Sequence, residues 1–193
     1  MKSISKAKRR IVLVSGMPGS GKTTLATALA EALGFTLVSK DYIKETLVDT
    51  LAPGPGDLAT SRQFGGAAME VLWAVAAHAR DVVLEANFRP HSSYERTRLV
   101  ELKANVVEVF CECSREEASR RFARRAQDGM HAAHPLTVLP DSVMDEYDGP
   151  VAVGAVIRVS TMAPVDVVNL AERVQQAWLP EGDAPVFQDE HAT

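Results

Sequence analysis

The chain has 193 residues, 46% of them hydrophobic, and a formal net charge of −4 at pH 7. That length fits one compact domain that buries its own core without disulfides or metals. No apolar run approaches the roughly 18 residues of a membrane span, and the N-terminus lacks the apolar core of a signal peptide, so a cytoplasmic, membrane-free protein is expected.

Lys2, Lys6, Lys8, Arg9 and Arg10 form a basic tail over residues 1–10. The body behind it is more acidic than the total charge suggests, which argues against a long nucleic acid as partner. The tail itself reads as a solvated terminus.

The first apolar, β-branched run, 11–15, leads into Gly16-Met17-Pro18-Gly19-Ser20-Gly21-Lys22-Thr23, and a helix is predicted over 22–33. This is a complete G-x-x-x-x-G-K-[ST] loop in strand–loop–helix context. Its glycines let successive N–H groups and the helix N-terminus point at phosphate, Lys22 reaches the outer phosphates, and Thr23 can hold Mg²⁺. Gly16, Pro18, Gly19, Ser20, Gly21, Lys22, Thr23 and Thr24 are the expected nucleotide contacts, with ATP and Mg²⁺ as cofactors.

A second strand, 35–39, ends at Ser39-Lys40-Asp41. Asp41 is either the base that accepts the proton of an attacking hydroxyl or the N-cap of a short helix over 42–48. Residues 52–57 read as a loop, a helix follows at about 58–79, and a third strand spans 81–86. Glu85 closes that strand, as a group for the Mg²⁺ shell or nucleophile or as a solvated strand-end carboxylate. Asn87 and Arg89 lead off it as candidate acceptor contacts.

A helix is predicted over 92–103, a strand over 105–111 and a helix over 115–127. Both helices open on a serine followed three residues later by glutamate, Ser92/Glu95 and Ser114/Glu117, the capping-box pattern. Cys111 and Cys113, two apart on the strand, read as packing residues. The 115–127 helix carries Arg120, Arg121, Arg124 and Arg125. They form either a lid that clamps the transferred phosphoryl, with Arg121 and Arg125 on one face, or an exposed salt-bridged helix.

Residues 129–150 read as a long irregular stretch in which His131 and His134 contact acceptor or backbone, since no further metal ligand accompanies them. The last strand, 155–160, ends near Arg158, Ser160 and Thr161, which are placed beside adenine or ribose. A helix over 164–178 follows, and from Pro180 the chain is polar and acidic, an expected disordered tail over 180–193. Five strands alternating with helices predict an α/β fold with a parallel sheet covered on both faces and ligands at its carboxyl rim.

These residues together resemble the small P-loop kinases, AAA-type ATP-binding phosphotransferases that include chloramphenicol-phosphotransferase-like, gluconate-kinase-like and zeta-toxin-like proteins. The resemblance spans roughly residues 11–178. It implies a P-loop NTPase three-layer α/β/α sandwich in one domain, residues 11–179, with five parallel strands in the order 2-3-1-4-5 and an arginine-bearing lid at about 114–150. It also implies Asp41 as base on the acceptor, and Arg121 with Arg125 as lid arginines.

Lys44 stands where such kinases often carry an arginine, so it joins Asp41, Glu85, Asn87 and Arg89 on the acceptor side. The strand ending at Glu85 lacks the aspartate of a strict Walker B. The expected activity is transfer of the γ-phosphoryl of ATP to a hydroxyl of a small-molecule acceptor: an antibiotic, sugar or metabolite. A nucleoside or nucleotide kinase and an ATP-binding regulatory switch or toxin-like protein are the alternatives, with a monomer or dimer equally open.

Overall fold

The computed structural model describes residues 8–52, 54, 56–128 and 131–179. Lys2, Lys6 and the 180–193 segment, with the tail expectations placed on them, lie outside the described residues. Among the described residues, no helix is long and apolar enough to cross a membrane.

Five strands form one sheet: β1 (Arg10–Ser15), β2 (Thr36–Ser39), β3 (Asp81–Glu85), β4 (Asn105–Glu112) and β5 (Ala155–Ser160). Every pairing is parallel and the order is β2-β3-β1-β4-β5, the expected 2-3-1-4-5 arrangement. The connecting helices are α1 (Lys22–Leu33), α2 (Lys40–Leu51), α3 (Leu58–His78), α4 (Ser93–Glu101), α5 (Arg115–Gln127), the short α6 (Asp141–Asp145) and α7 (Val167–Gln176).

Strand alternation splits the core into two layers. Val12 and Val14 of β1 pack with Leu25 and Leu29 of α1 and Leu170 and Val174 of α7. Ile11 and Leu13 of the same strand face the other way, onto Leu72 and Trp73 of α3 and Leu99 of α4. All four β1 side chains are fully buried, so the central strand reads as a continuous apolar run, as parallel sheets require.

Local chemistry sets the helix ends. The Ser92 and Ser114 hydroxyls accept from Glu95 N at 3.3 Å and Glu117 N at 3.2 Å. Neither glutamate closes the reciprocal half of a capping box: Glu95 instead takes the Arg89 amide and Glu117 takes Arg120 and Arg121. Gly34 ends α1 at φ +66°, its N–H bonded to Ala30 O and Glu31 O, a left-handed stop that glycine adopts without a Cβ penalty.

Three expectations are corrected. The helix placed at 42–48 starts at Lys40, directly off β2, so Asp41 lies in its first turn and caps nothing; Ser39 holds the cap position. The 129–150 stretch contains α6 rather than being wholly irregular. Arg9 and Arg10, read as solvated tail, are structural: Arg9 donates to Ala79 O at 2.8 Å and Leu102 O at 3.1 Å. Arg10 opens β1, pairs with Asp81 at 2.9 Å and lies over the Phe35 and Trp178 rings.

Glu108 of β4 is fully buried and accepts from Ser15 Oγ at 2.5 Å, Val151 N at 3.0 Å and Ala152 N at 2.8 Å. It ties the segment entering β5 to the residue just before the phosphate loop. Replacing Glu108 by Leu strands two buried donors, Ser15 Oγ and Val151 N, at about 1–3 kcal/mol each, so urea unfolding of Glu108→Leu is expected to show a loss of at least about 2 kcal/mol.

Candidate active site

The phosphate loop is shaped by glycines in the left-handed region: Gly16, Gly19 and Gly21 have φ of +135°, +81° and +84°. A Cβ at Gly19 would stand 2.3 Å from the Ala118 carbonyl oxygen, so this glycine also lets α5 approach the loop. The loop turns straight into α1, whose first-turn amides have no partner within the helix. That leaves donors and the positive helix end for an anion. Lys22 is 6% exposed and its ammonium donates to Met17 O at 2.9 Å, folded back along the loop.

Parallel register brings the carboxylates to this point. Glu85 is level with Val14 on one side and Ser39 on the other. Its carboxylate accepts from Ser39 Oγ at 2.5 Å and, more loosely, from Thr23 Oγ1 at 3.4 Å. Burial pushes the Glu85 carboxyl up and the Lys22 ammonium down, and each group's charge opposes the other's shift. Glu85 is 2% exposed, so the solvated strand-end reading is replaced by a buried acid in contact with the loop threonine. Hydroxyl and carboxylate oxygens are the donor set that Mg²⁺ takes, and the residues present therefore fit the metal.

Asp41 bonds Lys40 Nζ at 2.9 Å. Burial alone would raise its carboxyl, but the Lys40 ammonium, with His134 and Lys22 beyond, overcomes this and holds it at about 2. Lys44, one turn on, is buried and donates to Ser61 Oγ of α3 at 2.8 Å. Burial and the like charge of Lys40 bring Lys44 down to about 8.

One cleft of about 520 Å³ joins these groups; Lys22, Thr23, Thr24, Asp41, Lys44, Glu85 and Asn87 all line it. From α5, Arg121, Arg124 and Arg125 line it as well. Arg121 is fixed by Glu117 at 2.6 Å and Thr161 O at 2.9 Å. Arg120 pairs with Glu117 and is exposed, so the salt-bridged reading holds for that arginine.

Several expected contacts do not line the cleft: Gly16, the buried Ser20, Thr161, Ser160, Arg158 and Arg89. Arg158 pairs with Glu112 at 2.8 Å in a separate cleft with Met17, Phe110 and Cys113. Its strand position points it across the face of β4, over the Phe110 ring. Arg89 pairs with Glu146 at 2.8 Å and braces the segment after α6. Cys111 is buried, with its thiol pushed up to about 12 by burial, in keeping with packing.

Sequence reasoning missed Ser39 and Ser61. Ser39 was legible as the last residue of a strand beside the one ending in Glu85; Ser61 carried no local signal, because α3 reaches Lys44 only through the tertiary fold. The histidines bridge to α2: His131 to Asp49 at 3.0 Å and His134 to Glu45 at 2.9 Å. Burial pushes His134 below the usual histidine range, against the pull of the Asp41 and Glu45 carboxylates.

The chain belongs to the AAA domain family, whose model matches residues 11–145. Its fold is that of P-loop kinases. It is similar to a crystal structure from Chloroflexus aurantiacus named as a candidate kinase, with 26% identity and a TM-score of 0.75 over 90% of this chain and 100% of that one. It shares its fold with a gluconokinase of Sinorhizobium meliloti, at 18% identity, TM-score 0.56, and 86% and 91% coverage. The same holds for the Mycobacterium tuberculosis APS kinase in complex with AMPPNP and APS, at 17% identity, TM-score 0.57, and 89% and 98% coverage. Among curated proteins, a Replication factor C large subunit from Methanococcus maripaludis is 35% identical over 63 residues, and the match spans 13% of that protein's length.

The Lys44 environment has a measurable consequence. Its ammonium titrates near 8 when folded and near 10.4 when unfolded. Between those values the unfolded chain binds more protons, so stability rises with pH across that window. Wild type is expected to gain about 2 kcal/mol relative to Lys44→Met between pH 8 and pH 10, read by urea unfolding at each pH.

Proposed function

We propose that this chain is an ATP- and Mg²⁺-dependent phosphotransferase that moves the γ-phosphoryl group to a hydroxyl of a small molecule. The observation that carries the reading is Asp41. An ionised carboxylate shares one cleft with the phosphate-loop lysine and the α5 arginines. A protein that only binds nucleotide has no need of that acceptor-side carboxylate.

In this reading the loop amides and Lys22 hold the β- and γ-phosphates. Thr23 and Glu85 are the residues for Mg²⁺, which when bound neutralises charge on the phosphate oxygens. Asp41 accepts a hydrogen bond from the acceptor hydroxyl and aims its oxygen at the γ-phosphorus. The bond between that phosphorus and the ADP oxygen breaks as the new P–O bond forms, and the hydroxyl proton passes to Asp41 or to the product phosphate. Arg125 and Arg124 spread positive charge over the transferring group, with Arg121 fixed beside Gly21. Such catalysis is positioning and charge stabilisation.

Labelled ATP with a panel of sugars, hydroxy acids, nucleosides, nucleotides, phenicols and aminoglycosides tests transfer directly. Lys22→Ala is expected to abolish transfer while circular dichroism remains that of the wild type. Asp41→Asn is expected to lower kcat by about 100-fold through misplacement of the acceptor hydroxyl while ATP affinity, measured by calorimetry, changes little. Equal damage to both quantities identifies Asp41 as structural instead.

A further inference from the structure

Lys44 is a buried ammonium in want of an anion. Its residue is 6% exposed and lines the cleft. It has three donors, and the Ser61 hydroxyl takes one. The carboxylates around it are engaged elsewhere: Asp41 with Lys40, Glu45 with His134, Glu85 with Ser39 and Thr23. Among the described residues no salt bridge reaches Lys44. An uncompensated buried charge costs several kcal/mol, a cost that a structural role met by a neutral side chain would avoid.

The surroundings keep room for a partner. Gly65 of α3 faces this point: a Cβ there would lie 3.8 Å from Lys44 Cε and 3.9 Å from Lys40 Nζ, in ordinary contact, so any longer side chain would occupy the space. Asp41 and Lys44 are i and i+3 on α2, which puts their Cβ atoms about 5–6 Å apart on one face. Both side chains therefore leave the same face of α2 into the same cleft.

Resting on the kinase reading, we propose that the acceptor is an anionic alcohol, a hydroxy acid or a phosphorylated alcohol. Its carboxylate or phosphate is held by Lys44 beside the Ser61 hydroxyl while its own hydroxyl meets Asp41. Neutral acceptors leave the ammonium unpaired, and polycationic ones bring like charge to it. Phosphate and carboxylate share the chemistry that Lys44 recognises, and the two arms of the probe set separate them.

The test uses the full chain saturated with Mg·AMPPNP, so that the phosphate loop is filled. The Lys44 ammonium resonance, assigned by its loss in Lys44→Met, is followed while D-glycerate, D-gluconate or glycerol 3-phosphate is added, with glycerol and D-glucose as neutral counterparts. Lys40, Asp41 and Glu45 on α2, Ser61 on α3, Arg125 on α5 and His134 in the following segment face this group. The same titrations are therefore run in His134→Gln.

The expected result is that an anion shifts the Lys44 resonance and raises its midpoint above about 8, in wild type and in His134→Gln alike, and the neutral compounds do neither. With Mg·ATP, the anion that binds is also phosphorylated. Its KM rises about 30-fold in Lys44→Met, the order expected for losing one charge-assisted hydrogen bond, and less in Ser61→Ala.

If none of the anions moves Lys44, or glycerol and glucose are bound or phosphorylated as well as the anions, the proposal is overturned while transfer to a neutral alcohol leaves the kinase reading intact. If anions bind at Lys44 without any transfer, the anion site stands and the kinase reading falls.

Discussion

The site is organised around two buried groups of opposite charge, the Lys22 ammonium bonded to Met17 O and the Glu85 carboxylate bonded to Ser39 and Thr23. Each is buried and each is displaced in the direction that burial dictates, with the other's charge resisting. The pair exists because β3 lies beside β1 in the register that sets Glu85 level with Val14. A slip of one residue would turn the carboxylate to the other face of the sheet, so the strand order and the loop chemistry are one constraint rather than two.

Around that pair the segment from 114 to 150 divides its work. Its first part, α5, packs so closely on Gly19 that only a hydrogen fits there, and it presents arginines to the cleft. Its later part is fastened to α2 by His131–Asp49 and His134–Glu45, and to the residues after β3 by Arg89–Glu146 and His91–Asp148. These pairs are mostly exposed and individually weak. A cover held by several weak contacts suits a cleft whose ligands enter and leave, whereas the Glu108 network beneath it, buried and fully bonded, suits a fixed base.

The fold was legible because its signals are local. Apolar runs marked the five strands to within a residue or two, and the loop motif marked the start of α1. The Ser92 and Ser114 caps were legible for the same reason. What failed was whatever depends on partners distant in sequence. Arg158 looked like a ligand contact from its place at a strand end, yet the neighbouring strand supplies Glu112 for it. Arg9 and Arg10 looked like a tail because nothing nearby in sequence accepts their hydrogen bonds; the acceptors lie some 70 or more residues away. Ser61 was invisible because a serine in a helix has no signature until the fold brings Lys44 to it. The family resemblance supplied the strand order, which periodicity alone does not fix.

The acidity of Asp41 bears on how such a site works. A carboxylate held at about 2 by its lysine neighbour is a poor base for a hydroxyl, far below the value near ambient pH that favours early proton removal. Phosphoryl transfer through a loose transition state needs little nucleophile deprotonation, because bond formation to the acceptor oxygen is not far advanced when the barrier is crossed. The hydroxyl becomes strongly acidic only once the new P–O bond has formed. In the proposed transfer, Lys40 therefore costs little by weakening Asp41 as a base. It fixes the carboxylate in the ionised, acceptor-only form that aims a hydroxyl, and it keeps that form through the physiological range, which is what a positioning group must do.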